Sequence, residues 1–109
     1  MFKHLLLPTD GSKLSDEAVT RGIAFAKETG AKVCFLHVLP EYVVDAFASD
    51  SVSIRHGQPW KAIIDVAGGR ACDLIFMASH GRRGISALVL GSETHKVLTH
   101  SSIPVLVFR

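Results

Sequence analysis

The chain predicts a doubly wound α/β fold, a parallel sheet with helices on both faces. Three observations carry that prediction. Apolar runs alternate with helix-like stretches along the sequence, as strand–helix units do. The runs at 2–7, 31–39, 73–78 and 104–108 are strongly apolar, which suits strands buried in a parallel sheet. Right-handed crossovers then restrict the topology to a doubly wound sheet.

The first strand spans Phe2 to Leu7 and ends at Pro8. Ser12 or Ser15 can cap the helix that follows, with Asp16 and Glu17 in its first turn and Gly30 at its end. Leu14, Ala18, Val19, Gly22, Phe25 and Ala26 form its apolar stripe. AKVCFLHVL, rich in β-branched and apolar residues, is the second strand. VSIRH at 52–56 alternates, as a strand nearer an edge does. Pro59 opens a helix that buries Trp60, Ile63, Ile64 and Ala67. Asp73 to Ala78 is the fourth strand, Ser92 to His100 a short helix, and PVLVF the last strand.

The totals suit one domain over residues 1–109. A formal charge of +2 with no block of like charge argues against a nucleic-acid partner. The apolar run before Pro8 is too short for a signal peptide or membrane span, so a cytoplasmic protein is expected. Cys34 and Cys72 lie in or beside apolar runs and read as a reduced pair rather than a disulfide.

Doubly wound sheets bind ligands beyond the C-terminal strand ends, where strand order reverses. Two loops qualify: PTDGS after the first strand and ASHGRRG after the fourth. The second runs on to Gly91-Ser92 at a helix start, where unpaired N–H groups and a partial positive charge suit phosphate. Arg82 and Arg83 can add charge, and Ser92 a hydroxyl or a helix cap. A loop with a capped helix behind it fits the same residues. The loop is neither a Walker P-loop, lacking its lysine, nor a dinucleotide fingerprint, which belongs after the first strand.

Taken in order, PTDGS, HVLP, HGQPWKAII, DLIFMASHGRRG, LVLGSETHKVL and PVLVFR resemble the universal stress protein family over nearly the whole chain. The resemblance implies a flavodoxin-like, Rossmann-like sheet of five parallel strands in the order 3-2-1-4-5. It also implies ATP or AMP, with or without Mg²⁺, lying across the first and fourth strands. Pro8 and Thr9 would line the pocket, Asp10 would meet adenine or ribose, and the Val38 backbone the adenine edge. Met77, Ala78, His80, Gly81 and Arg82 would lie toward ribose and α-phosphate. Gly91, Ser92, Glu93 and Thr94 would offer N–H groups and hydroxyls to the phosphates. A homodimer through Pro104–Arg109 is implied too. The implied role is a stress-response regulatory module with slow or no hydrolysis, so no catalytic residue and no protein metal site are expected.

Two departures stand out. The family's motif is Gly-x-x-Gly, nine residues, then Gly-Ser or Gly-Thr, and here Ala78 takes the place of the first glycine. A site there that needs positive φ would strain alanine by about 1–2 kcal/mol. The helix between the second and third strands is missing as well. The twelve residues from Pro40 to Ser51 barely suffice for a parallel crossover. Either a segment is omitted or the bare sheet face has another cover. A partner is one such cover, and Ala46, Phe47 and Ala48 are the nearest apolar residues in the chain.

Other side chains carry less. Asp10 has no clustered second acid and reads as a binding or capping residue. His80 lies in a loop, His37 reads as satisfied in the core or at its edge, and His95 and His100 have no zinc spacing with the cysteines. Trp60 reads as packing. Two other functions stand beside the nucleotide-binding module. One is an interaction module that has lost its nucleotide, which Ala78 favours. The other is a nucleotidyl-transfer or ligase-type enzyme, whose SGGxDS-like or HxGH signatures the sequence lacks.

Overall fold

A computed structural model describes residues 2–38, 42–46, 52–56, 58–79 and 91–109, with 42–46 and 52–56 as backbone. In chain order the elements are β1 (His4–Thr9), α1 (Lys13–Thr29), β2 (Lys32–Val38), β3 (Tyr42–Ala46), β4 (Val52–His56), α2 (Pro59–Gly69), β5 (Leu74–Ala78), α3 (Ser92–His100) and β6 (Val105–Phe108).

These six strands form one sheet in the order β4-β3-β2-β1-β5-β6. Its parallel part is β2-β1-β5-β6, with Leu6 aligned to Cys34 on one side and Ile75 on the other, and Ile75 aligned to Val105. That is the 2-1-4-5 portion of the predicted order. The expected five-stranded, all-parallel sheet is corrected. VSIRH, now β4, does not pair with β2, because β3 lies between them and is antiparallel to both. A parallel return needs a crossover of a dozen or more residues, whereas an antiparallel return needs only a turn. β3 pairs antiparallel with β2, and Val38 aligns with Val43. No helix lies between β2 and β4 among the described residues.

Each face of the sheet has its own core, because successive strand residues point to opposite sides. Leu5, Leu7, Leu74, Phe76 and Ala78 face α1 and meet Ala18 and Ala26. Leu6, Cys34, Leu36, Ile75 and Met77 face α2 and α3 and meet Ile63, Val66, Ala67 and Val97. α1 lies close on the sheet because Gly22 faces Leu7. A Cβ there would stand 2.5 Å from Leu7 Cδ2, and Leu7 is fully buried. Where α1 ends its cover, Phe35 of β2 remains 40% exposed. Ala46 is a residue of β3 and aligns with Phe35 in the register of the sheet. Phe47 and Ala48 lie outside the described residues.

Both cysteines are buried thiols, and neither is in a disulfide. A hydrogen bond with the Cys34 thiol, together with burial, pushes the Cys72 thiol far above its ordinary range. At neutral pH it is a protonated core group, not a nucleophile. At the other end of the sheet, the Asp73 carboxylate accepts the backbone N–H groups of His4 (3.0 Å) and Lys3 (2.8 Å) and so fixes the start of β1 to β5.

Candidate functional site at the ends of β1 and β5

β1 leads to β2 on one side, and β5 leads to β6 on the other, so the strand order reverses between β1 and β5. Beyond their C-terminal ends the β1–α1 turn faces the start of α3. This is the crevice in which such sheets hold ligands.

The β1 side is a hydrogen-bonded turn. Asp10 Oδ1 accepts from the Ser12 N–H (2.9 Å) and from the Ser15 hydroxyl (3.0 Å). Gly11 between them has φ 81°, a left-handed conformation that favours glycine. Ser12 caps α1 by accepting the Ser15 N–H at 3.3 Å. The Ser15 side chain is buried, with its Oγ also 2.8 Å from Thr9 Oγ1 and 3.1 Å from Ser12 Oγ. The turn is therefore rigidly built, and Asp10 is part of its framework. Pro8 and Thr9 close β1 with partial exposure, and Thr9 aligns with His37 of β2. Val38 stands one residue further along that edge. His37 is exposed, so of its two expected places the core is excluded.

The β5 side is a strand end joined to a helix start. Ala78 is the last residue of β5, 6% exposed, and aligned with Phe108 of β6. It has no positive φ, so the methyl group in the place of a motif glycine costs no backbone strain. Met77 faces the opposite side of the sheet and lies in the core beneath α2 and α3. Ser79 is fully buried; its N–H donates to Phe108 O (2.8 Å) and its carbonyl accepts the Gly91 N–H (2.7 Å). That last bond brings the α3 start back to the end of β5. His80, Gly81 and Arg82 lie outside the described residues.

Gly91 is the N-cap of α3 and has no side chain with which to cap it, and no other described side chain does so. Ser92 is its first residue and is exposed, so the cap expected of Ser92 falls to Gly91 instead. The first N–H groups of a helix have no intrahelical partner, and uncapped they suit an anion. Gly91 itself has φ −63° and ψ 150°, which any residue adopts, so its value lies in its lack of a side chain. Thr94 is buried and its hydroxyl donates to the Ala78 carbonyl at 2.9 Å, which anchors α3 to β5.

Glu93 points elsewhere. Its carboxylate accepts the Trp60 backbone N–H at 3.0 Å, at the first turn of α2. Lys96 Nζ lies 3.7 Å from its other oxygen. Gln58, the N-cap of α2, gives no side-chain cap, because its Oε1 accepts the Trp60 indole N–H at 2.7 Å. The Trp60 ring is 4.6 Å from that of His100 and half-buried against the core, which agrees with packing. Two residues the sequence reading undervalued are thus Ser15 and Glu93. Gln58 was the available signal: glutamine is a poor N-cap, so a carboxylate from another element had a place to fill. Among the described residues no three His, Cys, Asp or Glu side chains are grouped as metal ligands. No helix among them is long and apolar enough to cross a membrane.

The model of the universal stress protein family matches residues 1–51 and 41–109. The chain belongs to the universal stress protein family. The two matched pieces meet over the β3 region, where the sheet departs from the expected topology. A universal stress protein of Thermus aquaticus is 28% identical over 137 aligned positions, with both chains covered in full. YxiE of Bacillus subtilis is 26% identical over 148, again with both covered in full. Both alignments exceed the 109 residues of this chain, so these family members carry segments that it lacks. The solved structure of UspA from Lactobacillus plantarum has a TM-score of 0.76 at 18% identity, covering 99% of this chain and 98% of that one. A universal stress protein solved in complex with cAMP has a TM-score of 0.69 at 22% identity, covering 99% and 97%.

Proposed function

We propose that this chain is a nucleotide-binding regulatory module of the stress response, acting in the cytoplasm and taking ATP or AMP in the crevice between β1 and β5. The observation that carries the proposal is the start of α3 with the bare backbone of Gly91 as its N-cap, held at the end of β5 by the Gly91–Ser79 bond and facing the built turn at Asp10. N–H groups at Ser92, Glu93 and Thr94 suit the phosphates, and the Glu93 carboxylate is drawn aside to α2, which removes a like charge from the anion's side. Thr9, Asp10 and the Val38 backbone would hold the adenosine. The Thr94 hydroxyl gives its proton to Ala78, so its backbone is the better candidate for contact with phosphate. Binding of cAMP by a family member of the same fold supports a nucleotide as the ligand class. Bound nucleotide supplies a charged, rigid group that ties the two loops together, and binding rather than turnover is the function proposed.

We also propose a homodimer. β6 is an edge strand whose four residues, Val105 to Phe108, are apolar and half-buried. An open apolar edge invites pairing with another strand. Antiparallel pairing with a second copy through Pro104–Arg109 would satisfy its free N–H and C=O groups. Mass spectrometry of nucleotide released from purified protein tests the ligand. Recovery of ATP, ADP or AMP supports the reading. If nothing is recovered and added nucleotide does not bind, the interaction module takes its place.

A further inference from the structure

On the α1 side of the sheet, a groove of about 350 Å³ runs between α1 and the last two strands. It is lined by Arg21, Ala24, Phe25, Glu28, Phe76 and Phe108. The Phe25 and Phe76 rings lie 6.1 Å apart and form its apolar wall and floor. Arg21 and Glu28 are both exposed, and neither forms an ion pair with another described residue. They stand seven residues apart on one helix, about 10 Å along its axis.

The four α1 residues in the groove occupy positions i, i+3, i+4 and i+7, a single stripe. Its midpoint falls between Ala24 and Phe25. Reversing the stripe about that midpoint exchanges the arginine with the glutamate. The stripe is therefore complementary to an antiparallel copy of itself, as a two-fold interface requires. Like charges at the two ends would have made it self-repelling.

The neighbouring edge gives the same symmetry. Antiparallel pairing of β6 with a second copy needs a two-fold axis perpendicular to the sheet. That axis puts both α1 helices on one face, antiparallel, on either side of a shared groove. Phe108 belongs both to the groove and to the edge strand, so the two surfaces are continuous.

We infer that this groove is the flank of a homodimer interface, in which Arg21 of each copy pairs with Glu28 of the other above a floor of phenylalanines. The inference rests on the β6 dimer proposed above. It adds a charge lock that selects this chain's own copy and sets the register of the edge strands. Opposite charges favour the correct partner, and like charges in a shifted register disfavour the wrong one.

The test is sedimentation equilibrium on wild type, Arg21→Glu, Glu28→Arg and an equimolar mixture of the two variants, at micromolar concentration and low salt. Each variant alone sets like charges against each other at both ends, and its dimer dissociation constant should rise tenfold or more. The mixture restores opposite charges at both ends and should recover the wild-type constant. If both variants dimerise like wild type, or if the mixture gains nothing over them, the charge lock is overturned. Val105→Glu tests the edge separately. If its dimer is as tight as wild type, or if wild type is monomeric, the β6 reading falls and the lock with it.

Discussion

Glu93 Oε1 accepts the backbone N–H of Trp60 at 3.0 Å, so the first turn of α3 caps the first turn of α2. The bond joins two helices that share one face of the sheet. It also turns a carboxylate away from the start of α3. Glu93→Ala should destabilise the protein by about 1 kcal/mol, as the loss of a helix cap does. Glu93→Gln keeps an acceptor and should lose less. Urea midpoints check this, and an alanine variant as stable as wild type would show that the bond contributes nothing.

Asp10 serves the fold as well as the ligand. Its Oδ1 holds the Ser12 N–H and the Ser15 hydroxyl, so removing it loosens the entry to α1. Asp10→Ala should cost about 1 kcal/mol of stability in addition to weakening nucleotide binding. Asp10→Asn retains an acceptor oxygen and should restore most of the stability. Thermal unfolding beside nucleotide titration separates the two effects. An alanine variant with unchanged stability would make Asp10 a ligand contact alone.

The Asp73 carboxyl is held below the usual carboxylate range by the backbone N–H groups of His4 and Lys3. A folded pKa below the unfolded one means that its stabilisation is complete above the unfolded value, near 4, and is lost as pH falls through the folded value. Asp73→Asn should therefore flatten the fall in stability below about pH 5 while lowering stability at pH 7. Urea midpoints at pH 7 and pH 3 measure both effects. An unchanged difference between the two would remove Asp73 as a source of acid sensitivity.

Gly22 is needed for room. Gly22→Val would drive a side chain into Leu7, with Phe76 behind it, and should cost about 1–3 kcal/mol. Chemical denaturation checks it, and a variant as stable as wild type would mean that α1 shifts outward freely.

Much of this was legible in the sequence because it follows from local rules. Gly30 closes α1 with φ 72°, Pro59 opens α2, and the runs around Leu6, Leu36, Ile75 and Leu106 form the parallel strands. What was not legible depends on partners distant in sequence. The spacing of the motifs puts YVVDA in a crossover, although tyrosine and two valines favour a strand. Only the short distance back to β2 made the antiparallel pairing decisive. Ala78 looked like a defect in the motif because its φ cannot be read from sequence; in the sheet it is an ordinary strand residue. The roles of Glu93 and Thr94 are set by α2 and β5, across separations of 33 and 16 residues.

The central claim is that the start of α3 is a phosphate site that depends on the bare backbone at Gly91. Gly91→Val tests it cleanly, since the φ −63° there suits valine and the fold should survive. Calorimetric titration of wild type and Gly91→Val with ATP and Mg²⁺, with circular dichroism to confirm folding, is the direct measurement. Wild type should bind, and the folded variant should lose affinity by a factor of ten or more (about 1.4 kcal/mol). Equal affinity in the two proteins, or no binding of ATP, ADP or AMP by wild type, would contradict it.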